Sequence, residues 1–323
     1  MNRYVVITID VEPDCSPDWR YSDPLTFRGV HEGITKILQP LFNKYSITPT
    51  YLINNVVLED EESINTFKKL QGSFELGTHL HPEFIEPQKT EFNYAGKKGI
   101  ANGCFYPPDI EFEKIRNITD LFRNKFNFAP TSFRAGRFSA GPNTIRSLAR
   151  LNYKVDTSVT PGVRWDDHTR EKPVDYRRAP LQPYRLNSNN IASEQPDGDL
   201  LEVPVSIVLN RLSVPGYIKY IIKNKRVPYK GSSPVWLRPK FSGTAQFKQI
   251  VNEISNRYCD NEYVVFNMMF HNVEVIPGLS PYSTSAEDAA EYIRSIEWFL
   301  KFCNEQKIQG AALSTLYDIF QKK

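Results

Sequence analysis

The chain has 323 residues, of which 40% are hydrophobic and 13% aromatic, a composition typical of a globular protein. Its length fits one large α/β domain or two smaller ones. A formal net charge of +3 is too small to indicate nucleic acid or an anionic membrane as a partner, and no stretch approaches the ~20 apolar residues of a membrane span.

The cysteines and the N-terminal segment bear on the compartment. Cys15, Cys104, Cys259 and Cys303 have neither zinc-ligand spacing nor a disulfide pattern. The apolar run that begins at Tyr4 is too short for a signal-peptide core, and no small-residue cleavage site follows it. We therefore expect a cytoplasmic protein with reduced thiols, whose oligomeric state the sequence does not indicate.

Strands and helices alternate along the chain. Apolar, β-branched runs predict strands over residues 4–9, 49–53, 74–79, 131–134, 153–156, 200–209 and 263–270. Helical spacing and caps predict helices over 30–45, 59–70, 109–126, 142–151 and 215–225, from Thr244, and from a capping box at Ser285 and Asp288, before a last strand and helix within 310–320. This alternation indicates a single α/β domain over residues 1–323, built on a parallel sheet or barrel. Two aperiodic segments, near 82–108 and 157–199, are predicted to be long loop insertions.

Polar side chains follow the predicted strands at the point where each strand ends. All strands of a parallel barrel end at the same rim, and α/β proteins place their chemistry there. We therefore expect one cluster at this rim, formed by Asp10, Glu12, His79, His81, Arg134, Asp156 and His271.

Two histidines separated by one residue predict a metal site. Side chains at positions i and i+2 of a strand leave the same face, so His79 and His81 direct both imidazoles toward one point. Asp10 and Glu12 share a face in the same way. Two imidazoles and one carboxylate, with an open fourth position, form a frequent catalytic zinc set.

Five short motifs resemble those of the polysaccharide deacetylase family (carbohydrate esterase family four, the nodulation-deacetylase homology domain). They run in family order from residue 3 to about residue 315, and thus cover nearly the whole chain. Asp10-Val11-Glu12 resembles the first family motif. Glu75 through His79, followed by His81-Pro82, resembles the second, which is a His-x-x-x-His-Pro metal motif. The remaining three resemble Phe133-Arg134, Tyr153 to Asp156, and Phe270-His271.

The resemblance implies a distorted (β/α)7-type barrel with long loop insertions at its carboxyl-terminal rim. It also implies metal-dependent removal of an N- or O-acetyl group from a saccharide, with a role in surface polysaccharide biosynthesis, and leaves open whether the bond is an amide or an ester. Glu12, His79 and His81 would hold one divalent ion, with zinc expected. Asp10 would be the base and His271 the acid. Arg134 would hold Asp10 ionised, and Asp156 would orient Arg134 or His271.

The chain departs from the family pattern at four places. One residue separates its two histidines, where the family usually has three. Glu83 stands four residues beyond His79 and is a rival to His81 as the third ligand. Glu12 stands where an aspartate is commoner. The third motif has Ala135 and Gly136 in place of its proline and aromatic residue.

Two other functions fit parts of the sequence. A His-x-His pair also occurs in cyclic amidohydrolases, although there it ends the first strand rather than the third. A barrel that keeps the fold without turnover, acting as a binding protein, fits the altered histidine spacing. Bound metal, together with acetate release from N-acetylated oligosaccharides, would favour the deacetylase over both.

Overall fold

Most strands of this protein lie in one curled sheet. The computed structural model describes residues 1–90, 103–165, 174–225, 227–239 and 243–321. Its strands are β1 (Asn2–Val11), β2 (Thr50–Asn54), β3 (Glu75–Leu80), β4 (Ser132–Ala135), β5 (Val155–Asp156), β6 (Arg164–Trp165), β7 (Val174–Asp175), β8 (Tyr184–Arg185), β9 (Leu201–Glu202), β10 (Ile207–Arg211), β11 (Ser232–Trp236), β12 (Tyr263–His271) and β13 (Gln309–Gly310). The sheet order is β12-β1-β2-β3-β4-β5-β9-β8, and β13 also pairs with β1. All of these pairs are parallel except β8 with β9, which confirms the predicted distorted barrel.

Helices connect the strands. They are α1 (Gln39–Lys44), α2 (Asn55–Glu59), α3 (Glu61–Lys69), α4 (Pro108–Phe126), α5 (Pro142–Arg150), α6 (Val214–Asn224), α7 (Gly243–Arg257), α8 (Ala286–Glu305) and α9 (Leu313–Gln321). A π-type helix, Gly29–Leu38, runs directly into α1. Among the residues that the structure describes, no helix has the length and apolar character needed to cross a membrane.

The structure differs from the predicted elements at a few points. The strand predicted over 200–209 is divided into β9 and β10, and the short helix α2 was not predicted. Part of the 82–108 segment, residues 91–102, lies outside the described residues, as do residues 166–173 of the second segment. The described part of 157–199 adds Val159, Tyr176 and Tyr184 to the core, which a purely superficial loop would not do.

Strand register brings the predicted polar residues together in pairs. The β1 strand, which lies between β12 and β2, is buried from Val5 to Val11. Asp10 of β1 lies opposite His271 of β12. His79 of β3 lies opposite Arg134 of β4. The carboxyl ends of these four strands therefore place an acid, an arginine and two imidazoles at one rim.

Side chains and loop backbone cover the outer edge of β12, where the curled sheet closes. The Gln182 amide donates to the Val265 carbonyl at 3.1 Å and accepts from the Val265 N–H at 2.8 Å, as a neighbouring strand would. Two residues along, the Asn267 N–H donates to the Ser206 hydroxyl at 2.9 Å, and the Asn267 carbonyl accepts from the Ser206 N–H at 3.0 Å. At Val265 and Asn267 the backbone of this edge is therefore satisfied without a further strand.

Replacing Gln182 by Ala tests this closure. The substitution leaves a buried N–H and a buried carbonyl of Val265 unpaired, so we expect the free energy of unfolding to fall by about 1–3 kcal/mol per unpaired group. Urea denaturation measures the change, with Gln309→Ala as the matched control, because the Gln309 side chain is exposed. Equal stability of the two variants would show that the Gln182 amide does not close the barrel.

Candidate active site

Three donor atoms form a small triangle at the rim of the barrel. Glu12 Oε1 lies 3.1 Å from His79 Nε2 and 3.0 Å from His81 Nε2, and the two imidazole nitrogens are 3.1 Å apart. All three side chains are buried, with exposed fractions of 2–7%. Within the described residues this is the group of three or more His, Cys, Asp or Glu side chains that meets the geometry of a metal site.

The tautomer of His79 is fixed by the strand beside it. His79 Nδ1 donates to the Arg134 backbone carbonyl at 3.1 Å, so Nε2 presents its lone pair to the triangle. His81 can place a proton in the triangle in the metal-free protein. Burial lowers the pKa of His81, but the Glu12 and Glu83 carboxylates together outweigh burial and raise it to about 9.

Glu83, the rival ligand, lies on the other side of the His81 ring. Its Oε1 is 3.8 Å from His81 Nδ1, the nitrogen that faces away from the triangle, and 2.6 Å from Arg137 Nη2. Burial raises the pKa of Glu83, but the contacts with His81 and Arg137 outweigh burial and lower it to about 2. An ionised Glu83 faces His81 Nδ1 from behind, at a distance too long for a hydrogen bond, and acts on the ring through its charge.

A glycine in the third motif makes room for His81. A Cβ atom added to Gly136 would lie 2.8 Å from His81 Cδ2, 3.1 Å from His81 Nε2 and 2.7 Å from the Leu80 carbonyl oxygen. The departure at Gly136 thus accommodates the shortened histidine spacing. It lets the ring of His81 turn toward Glu12 at a distance that a side chain at this position would prevent.

Two polar side chains hold Glu12 in place. The Tyr21 hydroxyl donates to Glu12 Oε2 at 3.0 Å and leaves Oε1 for the triangle. The Asn272 amide accepts from the Glu12 N–H at 2.9 Å and donates to the Glu12 carbonyl at 3.1 Å. Burial raises the pKa of Glu12, yet the two histidines outweigh it and hold the pKa well below the ordinary value. Glu12 is therefore an anion, as a metal-binding carboxylate has to be.

Asp10 lies beside the triangle and is paired with Arg134. Arg134 Nη1 donates to Asp10 Oδ1 at 2.6 Å, while Asp10 Oδ2 is 3.9 Å from both His79 Nε2 and His271 Nε2. Arg134 is fully buried and also donates to the Thr157 carbonyl at 2.9 Å and to the Thr8 hydroxyl at 2.7 Å. Burial raises the pKa of Asp10, but Arg134 and the histidines outweigh burial and lower it. The predicted Asp10–Arg134 pair is present.

His271 faces Asp10 and Glu12 from the end of β12. Its Nε2 lies 3.9 Å from Asp10 Oδ2 and 3.8 Å from Glu12 Oε1. Its Nδ1 donates to Glu274 Oε1 at 2.6 Å, and Arg238 also bonds that carboxylate. Burial lowers the pKa of His271, but the hydrogen bond to Glu274 and the charges of Glu274 and Glu12 together outweigh burial and raise it. The raised pKa favours the protonated ring, in which Nε2 carries the proton that faces the site.

Asp156 is fully buried but is not hydrogen-bonded to the other predicted residues in the described part of the chain. Its Oδ1 accepts from the Ser158 hydroxyl at 2.6 Å, and no hydrogen bond joins it to Arg134 or His271 in the described part of the chain. Burial raises the pKa of Asp156. Burial and the charge of Asp156 together raise the pKa of Glu202 well above its ordinary value. Glu274, rather than Asp156, is the carboxylate that orients His271.

Several residues of this site were not among the sequence-based predictions. Glu274 and Asn272 follow His271 in a short 3₁₀ turn, Asn272–Val275, and that proximity was an available signal. Tyr21 and Arg238 lie in segments without a predicted strand end, and the sequence offers no comparable signal for them.

The triangle fits a small divalent cation. Its donors are one carboxylate oxygen and two imidazole nitrogens, and such three-residue sets leave a fourth position open in catalytic zinc sites. Bonds of about 2.05 Å in a tetrahedral site place neighbouring donors about 3.3 Å apart, close to the separations of the triangle. Glu12, His79 and His81 are thus able to bind a metal ion together.

Comparison with known proteins finds solved structures with a similar fold. No protein-family model matches the sequence, and no curated protein matches it. Among solved structures, a protein from Mycobacterium smegmatis, provisionally assigned as a polysaccharide deacetylase, has 14% sequence identity and a TM-score of 0.55, over 100% of this chain and 92% of its own. A GH57-type branching enzyme from the archaeon Pyrococcus horikoshii has 10% identity and a TM-score of 0.51, over 99% and 71% of the two chains.

These likenesses concern the fold, because identities this low do not specify the reaction and one fold hosts several chemistries. The chain has the distorted (β/α)7 barrel fold of the polysaccharide deacetylases, the family that its five motifs resemble.

Proposed function

We propose that this protein is a metal-dependent hydrolase that removes an acetyl group from an N-acetylated saccharide. One observation supports this proposal above all others. A buried Glu12–His79–His81 triangle has Asp10, an acid with a lowered pKa, and His271, a base with a raised pKa, directly beside it. Hydrolysis of an amide needs these three parts, namely a Lewis acid, a proton acceptor and a proton donor.

Glu12, His79 and His81 would hold a divalent ion such as zinc, which would polarise a carbonyl group and lower the pKa of a bound water molecule to ~7. Asp10 then accepts the proton of the attacking water through Oδ2, because Arg134 occupies Oδ1. Arg134 also keeps Asp10 in the ionised form that can accept a proton. Pairs of titratable groups whose pKa values are pushed apart are typical of acid and base assignments.

His271 donates a proton to the leaving nitrogen through Nε2. Its other nitrogen, Nδ1, is held by Glu274, which fixes the ring and keeps it protonated. An amine is a poor leaving group until it gains a proton, so a protonated His271 favours an amide over an ester as the substrate. Glu274, in this proposal, is a positioning residue for His271.

The saccharide would lie against aromatic side chains at the rim. The Trp19 ring centroid is 4.9 Å from that of His271, and the side chain is 39% exposed. We infer that Trp19 contacts a sugar ring beside the acid. We further propose a cytoplasmic location, which the four free cysteines support, and a biosynthetic saccharide as the substrate.

Exchange of single ligands tests the metal site. We expect His81→Ala to abolish binding of zinc, since it removes one of three donors. Glu83→Gln should weaken binding only about 10- to 100-fold, because it removes a supporting contact behind a ligand. Metal content after dialysis and competition with a chelator measure both effects. Loss of the ion in Glu83→Gln together with its retention in His81→Ala would show that Glu83 is the third ligand.

Replacing Asp10 by Asn tests the base. We expect acetate release from N-acetylated oligosaccharides to fall about 100- to 10,000-fold, because an amide cannot accept the proton of water. Bound metal should be unchanged, since Asp10 is not part of the triangle. Asp18→Asn, an exposed acid of the following loop, is the matched control. Activity of Asp10→Asn within a few-fold of the control would remove Asp10 from the mechanism.

Replacing Glu274 by Gln tests the acid through its pH dependence. Because Glu274 raises the pKa of His271, the activity of the metal-saturated wild type should be lost as pH rises through that raised pKa. In Glu274→Gln the pKa of His271 falls, so the alkaline limb of kcat against pH should move to lower pH.

The control for this experiment is Glu287→Gln, which changes an exposed acid in the first turn of α8. Its pH profile should match that of the wild type. A uniform loss of activity in Glu274→Gln, with the alkaline limb in place, would mean that Glu274 only supports the fold.

A further inference from the structure

One segment of the chain differs sharply in charge from the rest. Residues 203–252 contain nine Lys and Arg residues and no Asp or Glu, whereas the remainder contains 31 basic and 37 acidic residues. The small net charge of the whole chain conceals this difference. A region of one sign within an otherwise mixed protein produces a local positive potential, which attracts polyanionic surfaces.

Helix α6 lies in this segment and turns its apolar face outward. Val214, Ile218 and Ile222 follow one another at four-residue spacing along one face, and they are 76%, 54% and 73% exposed. Val227, just after the helix, is 68% exposed. No residue of α6 is buried, although surface helices of globular proteins usually pack their apolar face against the core. Val214, Ile218, Ile222 and Val227 are four of the seven exposed large hydrophobic side chains in the described residues.

Lysines border this apolar face. Lys219 and Lys223 each follow one of the exposed isoleucines, and Lys225 follows the end of the helix. All three are exposed, and none has an ion-pair partner among the described residues. An apolar face bordered by unpaired lysines, with carboxylates absent from the surrounding sequence, is the pattern of helices that lie in a membrane interface.

The helix occupies the outer end of a two-stranded ribbon. Strands β10 and β11 pair antiparallel, from Ile207 opposite Trp236 at the inner end to Arg211 opposite Ser232 at the outer end. The inner end leads directly to Arg238, which contacts the Glu274–His271 pair. The ribbon therefore holds α6 away from the core while it remains attached to the rim with the candidate active site.

We propose that α6 is an interfacial membrane-binding helix. Val214, Ile218 and Ile222 enter the acyl region of an anionic lipid surface, and the lysines contact lipid phosphates. A second copy of the chain is a poorer occupant of this face, because a twofold contact would bring Lys219 and Lys223 against the same lysines of the partner. The proposal is independent of the proposed hydrolase activity, since it concerns binding alone.

Vesicle sedimentation of the full chain tests the proposal. We expect binding to phosphatidylcholine vesicles that contain phosphatidylglycerol, and little binding to phosphatidylcholine alone. Each lysine near an anionic surface changes the partition coefficient about 5-fold, so Lys219→Gln with Lys223→Gln should weaken binding about 30-fold. Salt near about 1 M, where the Debye length is about 3 Å, should weaken it as well.

A second pair of variants tests the contribution of the exposed isoleucines of α6. Ile218→Ser with Ile222→Ser should reduce binding at least about 10-fold, while Ile218→Leu with Ile222→Leu should preserve it. Lys68→Gln with Lys69→Gln, two exposed lysines of α3, is the matched control for charge and should bind like the wild type. Thermal unfolding of the variants should be unchanged, because every altered side chain is exposed.

Three results would overturn the proposal. The first is failure of the wild type to bind anionic vesicles. The second is equal loss of binding in the α3 control, which would indicate a diffuse charge effect. The third is dimerisation in sedimentation velocity without vesicles that Ile218→Ser with Ile222→Ser abolishes, because the face would then belong to a second copy.

Discussion

The structure depends on the electrostatics of three donor atoms held about 3 Å apart in a buried site. An anionic oxygen of Glu12 and two imidazole nitrogens, from His79 and His81, face one another there. In the metal-free protein, a proton on His81, whose pKa is raised to about 9, balances the charge of Glu12. A divalent ion can replace this proton and contact all three donors. Proton and metal therefore compete for one position, and metal affinity should rise as pH rises toward about 9.

The neighbouring groups follow from the same constraint. Two carboxylates lie close together at this rim, and burial alone would neutralise both of them. Arg134 holds Asp10 ionised from behind, and the imidazoles hold Glu12 ionised from the front. Glu274 raises the pKa of His271 and so favours the protonated ring. Asp10 and His271 thus each have a charged partner on the far side, which leaves their near sides free for a substrate.

The sequence predicted the elements that have strong local signals. Runs such as 4–9 and 263–270 are apolar and β-branched, and both became strands of the central sheet within two residues of the predicted ends. Because parallel strands end at one rim, the same pattern also predicted the meeting of Asp10, His79 and His271. The partner of His271 could not be predicted in this way, since Glu274 and Asp156 are both acids near strand ends. The distinction depends on the turn after β12, which tertiary packing sets.

The ligand set, likewise, was open in the sequence because His81 and Glu83 both stand beyond His79. The direction of the His81 ring decides between them, and that direction depends on the space beside Gly136, fifty-five residues further along the chain. Anomalous diffraction from crystals grown with zinc tests this account most directly. It predicts one strong peak within bonding distance of Glu12 Oε1, His79 Nε2 and His81 Nε2. A peak coordinated by Glu83 in place of His81, or no peak at the triangle, would contradict it.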